Sequence, residues 1–277
     1  MEKRMLVPKE IAEATVAAGI GKSKLSILQM SVLSIFAGAF IAFGAQGAIV
    51  ISQTLASVDA GLAKFAFAAT FPIGLMMVVI CGAELFTGNN LMTLGVLDGK
   101  CSFSCVLKNW ITVYLGNFIG SILTVIMIYY SGLMSGPVVE KAIAIATAKM
   151  AIPLGSVIIR GILCNIIVVL AVWMATGAKD VISKLFACWF PVMLFVLSGY
   201  EHSIANMYFI PMAKFLGADI SWSQMWLNNI IPATIGNLIG GALIVPLFYY
   251  LAYLRPIRAA APVPSSALQP KTPVKNI

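Results

Sequence analysis

Six long apolar runs, separated by short polar connections, organise the chain: about 27–52, 65–97, 111–130, 157–176, 185–215 and 230–254. A helix needs about 20 predominantly apolar residues to cross the hydrocarbon core of a bilayer. The length and bulk of the runs favour helices over the weakly alternating strands of an outer-membrane barrel. The pattern predicts an all-α polytopic membrane protein with six transmembrane helices. Run 65–97 is too long for one straight helix. It would extend about 50 Å at about 1.5 Å per residue, against a core of about 30 Å.

The second and fifth runs carry matching polar interruptions. The first is Cys81-Gly82-Ala83-Glu84-Leu85-Phe86-Thr87-Gly88-Asn89, the second Ser198-Gly199-Tyr200-Glu201-His202-Ser203-Ile204-Ala205-Asn206. Both read small-Gly-x-Glu-x-x-x-small-Asn, at an offset of 117 (201 minus 84), with Phe71-Pro72 and Phe190-Pro191 upstream. The third and sixth runs share Gly-Asn-x-Ile-Gly, at Gly116 and Gly236, at an offset of 120 (237 minus 117). Each half holds three spans, an odd number, so the second half enters the membrane upside down. The expected architecture is two inverted three-helix repeats (about 27–130 and 157–254) with the second and fifth helices broken. The paired glycines, four apart, suit close helix packing better than pore lining.

A break in an apolar helix frees backbone groups that protein or a water-filled cavity must satisfy. Glu84 and Glu201 could repel anions in a pore. Burial with hydrogen bonds to the freed amides of their own helices is the favoured reading, because an unpaired carboxylate is too costly. Thr87, Asn89, Ser203 and Asn206 are residue types that cap helix starts, and such starts attract anions. His202, the only histidine, is the one residue type here able to titrate near physiological pH. It either bonds to the broken helix or acts on the transported species. Phe71, Leu75 and Phe195, upstream of the breaks, are candidates to narrow a path.

Composition agrees with the membrane class: 60% hydrophobic and 10% charged residues, with mean hydropathy +0.97. Placing both termini inside puts thirteen of the eighteen Lys and Arg in cytoplasmic segments, as the positive-inside rule favours. The net charge of +8 suits anionic lipid headgroups better than nucleic acid. Residues 1–24 lack the apolar core of a signal peptide. Within them 8–24 reads as an amphipathic segment with Ile11, Ala14 and Ala18 on one face. A single channel domain is expected over 1–254, followed by a proline-rich, disordered cytoplasmic tail over 255–277. Five cysteines and one histidine leave no plausible metal set, so Cys101 and Cys105 read as free thiols. No cofactor is expected.

The chain resembles the formate/nitrite transporter family over nearly its whole length. The resemblance is carried by Cys81–Thr87, Lys108-Asn109-Trp110, Gly161-Ile162-Leu163-Cys164-Asn165, Leu170-Ala171-Val172-Trp173-Met174, the stretch from Gly199 through Met207 and the run from Ile231 through Asn237. It implies an aquaporin-like protomer, a homopentamer, residence in a bacterial or archaeal cytoplasmic membrane, and passage of small monovalent anions such as formate, nitrite or hydrosulfide. By motif, Thr87 corresponds to the family's threonine on the loop of the broken second helix, His202 to its central histidine and Asn165 to an asparagine near it. Lys149 corresponds to a lysine of the outer vestibule, and Phe71, Leu75 and Phe195 to the constrictions. Arg160 is basic where some members are neutral. On this reading Lys149 concentrates anions, and His202, polarised by Thr87 and Asn165, gives the anion a proton or meets it as a cation. Rivals are a channel for neutral solutes, an intramembrane enzyme and a structural or sensor protein. One histidine and two buried glutamates make a poor catalytic set.

Overall fold

The computed structural model describes residues 5–255, and the tail expected beyond Arg255 lies outside the described residues. The long elements of the described residues are helices: α1 (Pro8–Ser23), α2 (Ile27–Ser52), α3 (Ala60–Thr70), α4 (Ile73–Ile80), α5 (Phe86–Asn89), α6 (Thr93–Leu97), α7 (Phe103–Tyr130), α8 (Pro137–Met150), α9 (Leu154–Gly177), α10 (Val181–Leu197) and α11 (Ser203–Phe215). A final helical stretch, Trp222–Leu254, contains π-helical turns. Among the described residues five helices are long and apolar enough to cross a membrane, and α10 is a shorter apolar helix of 17 residues. The run 185–215 is divided between α10 and α11, and residues 81–85 and 198–202 are not helical.

Glycines decide how closely the long helices approach. α2 lies along α7, and α9 lies along Trp222–Leu254. A Cβ on Gly116 or Gly120 would overlap Ser34 or the Ile35 carbonyl, and one on Gly236 or Gly240 would overlap the carbonyls of Ile158 and Ile162. These pairs thus pack helix backbones together. α11 is buried from Ser203 through Ala213, surrounded by α2, α7 and α8.

α1 is tied in by Leu6 N–H, which donates to the Gly177 carbonyl at 3.0 Å. Its buried face is Ile11, Ala12, Thr15, Val16 and Gly19. This corrects the expected face: Ala14 is half-buried and Ala18 exposed. The packing follows the i, i+4, i+8 row through Gly19, where a Cβ would stand 3.5 Å from Met92 Cα.

Gly236→Ala is expected to lower the unfolding temperature by several degrees, since overpacking against backbone costs about 1–3 kcal/mol. Gly155→Ala, with nothing within 4 Å of the added carbon, is expected to leave it unchanged. Thermal unfolding in detergent checks the pair.

Candidate functional site

Two buried polar hubs hold the non-helical segments. In the first, Gly82 turns the chain at φ +77°, a conformation that favours glycine. Glu84 is buried. Its Oε2 accepts from Asn89 Nδ2 at 2.6 Å and Asn109 Nδ2 at 3.5 Å, and its Oε1 pairs with Lys22 Nζ. Asn117 reaches across from α7. Its Nδ2 donates to the carbonyls of Glu84 (2.9 Å) and Ser34 (2.8 Å), and its Oδ1 accepts the Phe86 N–H at 2.9 Å.

The second hub repeats the first. Gly199 turns the chain at φ +73°. Glu201 Oε2 accepts from Asn206 Nδ2 at 2.7 Å and Asn229 Nδ2 at 3.3 Å, and Oε1 pairs with Lys149 Nζ at 2.8 Å. Asn237 Nδ2 donates to the carbonyls of Glu201 (3.0 Å) and Gly161 (2.8 Å), while its Oδ1 accepts the Ser203 N–H at 2.9 Å. The correspondence adds a third offset of 127, linking Lys22 to Lys149 (149 minus 22) and Ser34 to Gly161 (161 minus 34).

These geometries correct two expectations. The glutamates bond to asparagine amides and a lysine, where freed amides of their own helices were expected. Asn89 and Asn206 serve the carboxylates and do not cap. The caps come from elsewhere: Asn117 and Asn237 take the first amides, and His202 Nδ1 accepts the Ala205 N–H at 3.1 Å. Thr87 sits in the first turn of α5 rather than on the loop before it. Lys22, Asn109, Asn117, Asn229 and Asn237 escaped the reading of the sequence. Lys22 was counted with the basic tail, and the repeated Gly-Asn was read for its glycines. The 127 offset would have exposed Lys22.

His202 lies beside the second hub. Thr87 Oγ1 is 2.9 Å from its Nε2, and Phe195 stacks on the imidazole with centroids 5.8 Å apart. Phe71 meets Phe195 edge-on at 6.0 Å. Asn165 makes no hydrogen bond to the ring. Its Nδ2 donates to Asn237 O (2.8 Å), Asn90 Oδ1 (2.9 Å) and Thr87 O (3.3 Å), so it braces Thr87 from behind. Its amide lies over Gly241, where a Cβ would overlap it.

Three cavities run in series past this histidine. The largest, about 480 Å³, is lined by Lys64, Lys141, Lys149, Arg160 and Glu201 and ends on Phe71, Phe195 and His202. Those last three also line a cavity of about 10 Å³ together with Leu75 and Leu85. Leu75 and Leu85 in turn border a cavity of about 240 Å³ that contains Lys22, Glu84 and Asn89. Leu85 is the counterpart of His202 (202 minus 117). Thr87 and Asn165 line none of these cavities.

A profile of the formate/nitrite transporter family matches residues 9–251. The chain belongs to that family. A probable formate transporter of Methanothermobacter thermautotrophicus is 39% identical over 270 residues, covering 90% of this chain and 97% of the relative. Among solved structures, an ion channel of the formate/nitrite transporter family superposes with a TM-score of 0.82 at 28% identity, covering 88% of this chain and 98% of that one. A pentameric formate channel with formate bound superposes at 0.73 with 34% identity, covering 82% and 98%. The formate/nitrite transporter family is one of channels and transporters rather than enzymes. Its membership and the apolar helices make this chain a multi-pass membrane protein.

Lys149 and Glu201 have side chains only 17% and 3% exposed, so removing one partner strands a buried charge. Lys149→Met is expected to destabilise the protein by roughly 3 kcal/mol, and Lys149→Met with Glu201→Gln to recover most of the loss. Unfolding in detergent measures both.

Proposed function

We propose that the chain passes small monovalent anions, formate, nitrite or hydrosulfide, through a pore in each protomer, and that His202 relays a proton to them. On this reading α3 to α6 and α10 to α11 are each one interrupted span. With α2, α7, α9 and Trp222–Leu254 they make six spans in two inverted repeats, an aquaporin-like layout within one channel domain. The single observation that carries the reading is His202 between the two chambers, bordered by Phe71, Leu75 and Phe195. Thr87, Asn165 and Lys149 act by supporting or preceding it; Glu84, Glu201, Asn89 and Asn206 hold the interruptions.

Hydrogen bonding suggests how the relay works. Nδ1 accepts the Ala205 amide, so the neutral ring carries its proton on Nε2 and donates it to Thr87 Oγ1. A second proton would occupy Nδ1 and displace the Ala205 amide. Proton and anion are therefore taken up together: a proton from the chamber water makes the ring cationic, the ring gives one proton to the anion and returns to neutral, and the anion crosses the apolar neck as a neutral acid, avoiding the cost of a bare charge. The hub carboxylates are already paired, which leaves the histidine as the exchangeable group.

The homopentamer draws support from the pentameric formate channel to which the chain is similar. The exposed stripe Leu107, Ile111, Leu115, Ile119, Leu123 and Met127 on α7 suits a neighbouring copy or lipid. On this reading both termini face the cytoplasm, as the distribution of basic residues favours, and the membrane is the cytoplasmic membrane of a bacterium or archaeon, as the family resemblance implies. Protons and membrane lipid complete the partners, without nucleic acid, metal or cofactor.

Anion flux into liposomes across pH tests the relay. His202→Asn and His202→Ala are expected to lower formate flux roughly a hundredfold, matching about 2.5–3.5 kcal/mol for a bare charge at the bilayer centre, and to flatten its pH dependence. An unchanged pH profile would sink the relay. Osmotic swelling without anion flux would favour the neutral-solute reading.

A further inference from the structure

The two chambers are built unequally. The larger holds four basic side chains and one carboxylate, a local balance of +3 (four minus one). The smaller holds Lys22 and Glu84, a balance of zero (one minus one). Lys149 is committed to Glu201, at 2.8 Å, and lies over the Phe209 ring at 5.6 Å. Lys64, Lys141 and Arg160 have no acidic partner among the described residues. They come from three elements, α3, α8 and the second turn of α9, and converge on one concavity.

We propose that Lys64, Lys141 and Arg160 make the large chamber a holding site for small polyvalent anions, tricarboxylates and phosphate-like groups. Held there, these anions block the passage of monovalent ones from that face alone. The proposal rests on the pore reading above. A concave site of one sign with apolar walls raises local counter-ion concentration, and a guanidinium presents a fork that fits carboxylate or phosphate oxygens. The chamber's 480 Å³ admits a tricarboxylate, whereas the adjoining cavity of about 10 Å³ holds about one water. A polyvalent anion would have to shed far more hydration than formate to enter that neck, and His202 can supply only one proton at a time. Such an ion enters the chamber and stays. The smaller chamber, with its one lysine bound to Glu84, lacks the charge to hold it.

The test uses the full chain in right-side-out and inverted membrane vesicles, with formate flux measured against added citrate at fixed ionic strength. With the termini cytoplasmic, the large chamber faces outward. Citrate is expected to inhibit right-side-out vesicles only. The Lys64→Ala, Lys141→Ala, Arg160→Ala triple variant is expected to pass formate but need roughly tenfold more citrate for half-inhibition, the sum of three weak charge contacts in a solvent-filled chamber. It keeps the Arg160 carbonyl that accepts the Glu201 N–H. Equal inhibition from both faces, no inhibition, or an unshifted triple variant would overturn the proposal. Absence of formate flux would instead remove the pore reading. The site would then be read from unfolding temperature in detergent: a citrate-dependent rise lost in the triple variant supports it, and no rise refutes it.

Discussion

Backbone polar groups in an apolar interior must find partners within the protein, and among the described residues the two interrupted runs each leave five residues, 81–85 and 198–202, outside a helix. An unsatisfied group there costs several kcal/mol. Asn117 and Asn237 meet the need, each joining one segment to two neighbours through three hydrogen bonds. They reach only because the helices are close. Gly116 and Gly120 flank Asn117, Gly236 and Gly240 flank Asn237, and each pair lets its helix backbone press against the next. Glycine spacing, amide geometry and chain interruption form one dependency, built twice.

The buried Lys–Glu pairs fix what the asparagines leave open. Each carboxylate accepts from two asparagines and a lysine, so its oxygens are partnered within the protein. The frame is nearly symmetric, and function enters where symmetry fails. Leu85 is apolar and gives its helix no cap of its own; His202 caps its own helix and faces the neck. Gly38 stands where the second half has Asn165 (165 minus 127), and only Asn165 braces the threonine that meets the histidine.

Much of this was legible in the sequence because membrane constraints write large. Apolar run length announced the class, and the repeated Gly-x-Glu motif marked the segments that lose helical bonding. The partners of the glutamates were not legible. Asn109 and Asn229 lie 20 or more residues from the motifs they serve (109 minus 89; 229 minus 206), on helices whose approach depends on packing. Lys22 looked like tail charge because its role depends on α1 folding back beneath the first hub. The charged chamber was equally hidden, since Lys64, Lys141 and Arg160 share a wall only once three helices are assembled.

In the proposed mechanism a proton travels with each anion past His202. Its most direct test is a formate pulse applied to proteoliposomes carrying an internal pH indicator and a potential-sensitive dye. Proton-coupled passage is expected to acidify the lumen in step with formate entry, at about one proton per anion, with no sustained membrane potential. An inside-negative potential without acidification would contradict it.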